Sequence, residues 1–157
     1  MKILYAGYSR TGATERALLM FRDKMGEQGR YIPIHTEKEK IGFAAAGFQS
    51  IRRKSAKIKL VSPAPNMAEY DLVVLGTPIW AGRISSPLRA FLRQNTGAKR
   101  VIVIATRQSA KDDGDRPFDE VDELTGVPRL ADIAICVSKG NMESELEVLA
   151  ARVKELL

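Results

Sequence analysis

The chain has 157 residues, 45% of them apolar, and a formal net charge of +6. That length and apolar content allow one sizeable core without metal or disulfide support, and two full domains would have to be unusually small. The single cysteine, Cys136, excludes an intrachain disulfide and a cysteine-rich metal site; set in an apolar run, it reads as a buried small hydrophobe.

The apolar run at residues 3–6 is too short for a signal peptide or a spanning helix, so a cytoplasmic protein without a membrane partner is expected. Acidic and basic residues alternate through most of the chain. The modest positive field suits an anionic cofactor or an acidic partner and does not by itself define a nucleic-acid site.

Strand and helix signals alternate, which predicts one α/β layer fold. Residues 2–6 form a first strand and residues 7–12 its exit loop. Ala17, Leu18, Phe21 and Met25 then recur at helical spacing, and Gly26 and Gly29 mark where that helix ends. Residues 31–34 can form a second strand. From 35 to 65 the pattern is less orderly: Phe43, Ala44, Gly47, Phe48 and Ile51 suggest an amphipathic helix weakened by its glycines, followed by a basic run.

Residues 71–76 carry the clearest buried-strand signal. Pro78 and Gly82 are expected to keep the following stretch in a loop, with Ser86 capping the next helix and Pro87 in its first turn. A fourth strand is predicted at 100–105, a polar loop at 106–115, and a helix bearing Phe118, Val121 and Leu124. A fifth strand lies within 130–137, and Met142, Leu146, Leu149 and Val153 mark the last helix. Continuous apolar strands between helices favour a mainly parallel sheet covered on both faces.

Open parallel sheets bind ligands beyond the carboxyl ends of their strands. The first strand exits into Ser9-Arg10-Thr11-Gly12-Ala13-Thr14, where hydroxyls and the unpaired N–H groups of a helix start suit a phosphate. The stretch from Gly7 to Thr14 nearly has the spacing of a nucleotide-binding P-loop, but Ala13 stands where that motif needs lysine. The dinucleotide glycine fingerprint is also absent.

The third strand exits into Thr77-Pro78-Ile79-Trp80-Ala81-Gly82, where the only tryptophan could stack on a flat ring and Gly82 permits backbone approach. The fourth exits into Thr106-Arg107-Gln108-Ser109, whose polar groups can address a ring edge. Arg107 and Lys111 could meet a second anionic substrate.

The first two of these exits, in this order and separation, resemble the phosphate loop and a flavin-contacting loop of flavodoxin-like FMN-binding proteins. The resemblance covers nearly the whole chain as a single domain. It implies a doubly wound three-layer α/β fold with a five-stranded parallel sheet of order 2-1-3-4-5. It also implies noncovalent FMN, with its phosphate on residues 9–14 and its ring between residues 77–82, Trp80 leading, and residues 106–109. Unlike the usually acidic low-potential carriers, this chain is basic and has no aromatic residue at 106–115.

The cofactor then supplies the redox chemistry, and no acid–base dyad is required. The implied function is single-electron transfer to and from a redox protein. The alternative is an NAD(P)H-dependent quinone oxidoreductase, and either can be a monomer or a homodimer. A third reading, a basic nucleic-acid-binding or regulatory protein, uses Arg52, Arg53, Lys54, Lys57 and Lys59, without a recognition helix, zinc spacing or aromatic motif beside them. His35 follows the second strand, away from the three exits, and is read as a surface or structural residue. Asp112, Asp113 and Asp115 match no ligand pattern, so no metal is expected.

Overall fold

The computed structural model describes residues 1–26, 29–37, 52–53, 55–59, 63–109 and 114–157. Five strands, β1 (Ile3–Gly7), β2 (Arg30–Pro33), β3 (Leu72–Trp80), β5 (Val101–Arg107) and β6 (Arg129–Cys136), lie parallel in the order β2-β1-β3-β5-β6. A two-residue strand, β4 (Arg83–Ile84), folds back antiparallel on the end of β3. Without that appendage the order is the expected 2-1-3-4-5.

The helices are α1 (Ala13–Met25), α2 (Ser86–Gln94), α3 (Arg116–Thr125) and α4 (Met142–Leu156), with a 3₁₀ turn at Met67–Glu69. Side chains alternate across each strand, so one sheet supplies two cores. Leu4, Val73, Leu75, Val101 and Val103 face Leu88 and Phe91 of α2 and Phe118 and Val121 of α3. Ile3, Tyr5, Val74, Ile102 and Ile104 face Leu18 and Phe21 of α1 and Leu146 and Val153 of α4. Three layers result.

Three local expectations are corrected. Residues 77–80 are not a loop: β3 continues to Trp80, with Thr77 and Pro78 in register with Ala105 and Thr106 of β5. Proline is tolerated there because pairing with β1 ends at the Gly7–Gly76 register, leaving Pro78 bordered by parallel strand on one side only. The cap of α2 is Ser85, not Ser86: Ser85 Oγ accepts from the Leu88 N–H at 3.4 Å, with Pro87 in the first turn. Thr106 and Arg107 belong to β5 rather than to the polar loop that follows.

The helix suggested around Phe43–Ile51 in sequence lies outside the described residues. Part of the basic run is extended: Thr36 bridges Ile58 in antiparallel fashion, and Lys59 N–H donates to the His35 carbonyl at 2.8 Å. Arg53 is committed to Glu120 and Glu123, at 3.5 and 2.7 Å.

Three packing devices hold the layers in place. Gly7 and Gly76 sit side by side under Leu18, and a Cβ on either would lie 2.4 Å from a Leu18 methyl. Bare backbone at both positions lets α1 lie close on β1 and β3. On the opposite face Arg89 of α2 and Glu120 of α3 form an ion pair, Nε to Oε1 2.5 Å, at 0% and 1% exposure. A second hub, Arg129, reaches Asp119, Asp122 and Asp132 within 3.0 Å and Asp115 at 3.6 Å, tying α3 to β6.

Gly76→Ala is expected to cost about 1–3 kcal/mol through overpacking against Leu18. In a denaturant double-mutant cycle with Leu18→Ala, the pair should lose less stability than the sum of the single changes, because each relieves the strain or void left by the other. Glu120→Ala should cost about 3–5 kcal/mol by leaving the buried Arg89 charge without its carboxylate, and Arg89→Met with Glu120→Leu should recover most of that loss.

Candidate functional site

The carboxyl ends of β1, β3 and β5 open on a cavity of about 990 Å³ that brings together all three strand-exit segments. The crossovers from β1 and β3 leave in opposite directions at this point, and the divergence opens a crevice between them. Of the residues proposed from sequence, 10–14, 78–82 and 106–109 line the cavity. Ser9 and Thr77 do not.

The two exceptions differ in what their side chains do. Thr77 is fully buried, its hydroxyl bonded to Ser85 Oγ and accepting from Ser85 N–H, both at 3.0 Å, so it ties the end of β3 to the cap of α2. Ser9 Oγ is buried and has no hydrogen-bond partner.

α1 begins at Gly12, whose φ of +93° suits a residue without Cβ and whose position offers no side-chain cap. The first helical bond runs from Arg16 N–H to the Gly12 carbonyl at 2.9 Å, so the N–H groups of Ala13, Thr14 and Glu15 precede the helical ladder. With the dipole of α1 behind them, they form an anion-binding end. Glu15 is the one acidic residue in the first turn, and the Tyr31 hydroxyl donates to its carboxylate at 3.1 Å. Burial, the Glu15 charge and that bond together push the Tyr31 phenol well above its ordinary range.

The opposite wall is an indole with a fixed backing. Trp80 closes β3 opposite Arg83 of β4, and the buried Tyr8 meets it edge to face at 5.5 Å and 81°. Burial raises the Tyr8 phenol above its usual value, while the nearby Arg10 charge lowers it. The turn joining β3 to β4 has φ of +51° at Ala81 and +70° at Gly82, the left-handed pair of a tight hairpin.

Thr14 of the first segment and Thr106 of the third meet: their hydroxyls lie 2.8 Å apart, both residues almost fully buried. Sequence reasoning missed Arg16 and Val137, which line the cavity, and Tyr8, which backs the indole. Val137 follows the end of β6 and Tyr8 the end of β1, so the strand-exit rule could have found both; Arg16 lies one helical turn beyond the loop. Behind Val137, Cys136 is buried with its thiol 3.2 Å from the Ser138 hydroxyl, a bond that lowers the thiol pKa.

Among the described residues no three His, Cys, Asp or Glu side chains gather as a metal would need, and no helix is long and apolar enough to cross a membrane.

No family model matches the chain, and neither does any curated protein. Solved structures do. A flavoprotein from Lactobacillus acidophilus NCFM, in complex with FMN, is 19% identical and superposes with a TM-score of 0.68, over 91% of this chain and 98% of that one. An NADH:FMN oxidoreductase in its apo form is 16% identical, TM-score 0.64, over 98% and 89%. A flavodoxin from the domain Archaea is 10% identical, TM-score 0.58, over 99% of each chain. At these identities the likeness defines the fold: the chain is a flavodoxin-like three-layer α/β protein.

Ala81→Asn should stabilise the protein by about 1 kcal/mol, because asparagine tolerates the left-handed region better than alanine. Thermal unfolding of the two forms checks it.

Proposed function

We propose that this cavity binds FMN and that the protein transfers electrons through it. The observation carrying the proposal is the joining, in one cavity, of an uncapped helix start and an indole wall. The first suits a phosphate and the second a planar ring. Ser9 Oγ, in the phosphate loop but off the cavity wall, is buried without a partner, and a phosphate oxygen that reached it would satisfy it.

On this reading the N–H groups at the start of α1 and the hydroxyls of Ser9, Thr11 and Thr14 hold the phosphate. Trp80, stiffened by Tyr8, flanks the ring, and residues 106–109 border its other side. Thr77 acts through Ser85, holding the β3 end in place. When bound, the isoalloxazine supplies the one- and two-electron chemistry. The chain's own residues bind it, orient it and set the charge around it.

The first functional reading is a single-electron carrier that meets a redox protein at the cavity mouth. The second, an NAD(P)H-dependent quinone oxidoreductase, is favoured by Arg16 and Arg107 on the cavity wall, where cationic side chains suit the phosphates of a dinucleotide.

Native protein should show flavin absorbance, and titration of the stripped protein should give tighter binding of FMN than of riboflavin. Failure to bind either flavin overturns the proposal. Trp80→Phe should change the fluorescence quenching of bound FMN. Rapid anaerobic bleaching by NADH or NADPH, reversed by a quinone, selects the oxidoreductase. Inertness to both nucleotides together with exchange with a redox protein selects the carrier.

A further inference from the structure

We propose that Thr106 is a positioning residue for the phosphate end of the cavity, acting through Thr14. The inference rests on the FMN reading and reassigns Thr106 from the ring edge to the phosphate loop.

Thr14 is the second residue of α1 and Thr106 the sixth of β5, separated by 92 residues in sequence, yet their hydroxyl oxygens lie 2.8 Å apart. Both side chains are nearly inaccessible, at 2% and 3% exposure, and both line the cavity. Thr106 is held on two sides, by Pro78 of β3 and Ile135 of β6 in register with it. Its β-branched side chain has few χ1 choices. The hydroxyl therefore sits at a fixed point in the sheet.

A threonine hydroxyl has one proton and two acceptor lone pairs. One bond joins the pair, so one of the two protons is left over, and either oxygen can be the donor. An anion at the start of α1 breaks that symmetry. An O–H bond to a charged oxygen is roughly twice as strong as one to a neutral oxygen. The Thr14 proton turns to the phosphate, and its oxygen accepts the Thr106 proton. The chain of donors runs from Thr106 to Thr14 to the anion, with each oxygen polarising the next.

The same bond does nothing for a neutral ligand. Thr106 accordingly contributes to discrimination between FMN and riboflavin, not to holding the ring.

The test is the ratio of FMN to riboflavin affinity, measured by fluorescence titration for wild type, Thr106→Val, Thr106→Ser and Thr14→Val. Thr106→Val should weaken FMN about tenfold, the loss of one hydrogen bond in a charge-assisted chain, and change riboflavin less than about twofold. Thr106→Ser should restore the wild-type ratio. Thr14→Val should weaken the preference at least as much as Thr106→Val does, and the double valine variant should be no worse than Thr14→Val alone. Inorganic phosphate gives an independent reading: at one concentration it should raise the melting temperature of wild type and Thr106→Ser more than that of Thr106→Val. A Thr106→Val protein that keeps the wild-type ratio, or loses both flavins equally, overturns the inference while leaving the FMN reading intact. If Thr106→Val fails to fold, Thr14→Val and Thr106→Ser decide: a wild-type ratio in Thr14→Val, or one lost in Thr106→Ser, overturns it. A wild-type chain that binds neither flavin overturns the FMN reading beneath it.

Discussion

The close seat of α1 on the sheet depends on Leu18 lying against two adjacent glycines, Gly7 of β1 and Gly76 of β3. A helix normally stands off a sheet by the thickness of the side chains between them. Here both strands present bare backbone under one leucine, at the last register of the β1–β3 pairing. The first turn of α1 is thereby brought to the carboxyl edge of the sheet, where the strand ends diverge. The start of α1, the candidate phosphate end, is positioned by that seat.

The ends of the helices are treated differently, and the difference follows their use. α2 is capped by Ser85, whose hydroxyl is also bonded to Thr77, so this start is closed by protein groups. α1 starts at a left-handed glycine without a side-chain cap. Open N–H groups cost stability unless water or a ligand satisfies them, and here they border a cavity. On the far wall the hairpin places an alanine in the left-handed region beside Trp80, a local cost of the kind found where a ligand wall must hold one shape.

Part of the chain's positive charge is committed to contacts within the fold. Arg89 is buried against Glu120, Arg53 reaches Glu120 and Glu123, and Arg129 serves four aspartates. These contacts join α2 to α3 and α3 to β6, turning charge into tertiary connections. The described residues that line the cavity include Arg10, Arg16 and Arg107 and no carboxylate. Net charge alone conveys neither arrangement, and the basic run at 52–59 shows why: one member, Arg53, is spent on two glutamates.

The order of strands and helices was legible in the sequence because long apolar runs and helical periodicity are local signals. Five parallel strands and helices α1 to α4 could be placed within a few residues. The loop at 9–14 was legible for the same reason, as turn chemistry at a strand exit, whereas the place of Trp80, Thr106 and Arg107 inside strands was not. Continuation of β3 through Pro78 was not, because proline's tolerance there depends on where pairing with β1 stops. Nor was the burial of Arg89, which reads as solvent-facing until Glu120 arrives from α3, 31 residues away. Local composition thus determined the layers and the loop chemistry. Only the tertiary structure decided which hydroxyls meet across the sheet, which arginines are internal and which glycines must be bare, since each depends on a partner distant in the chain.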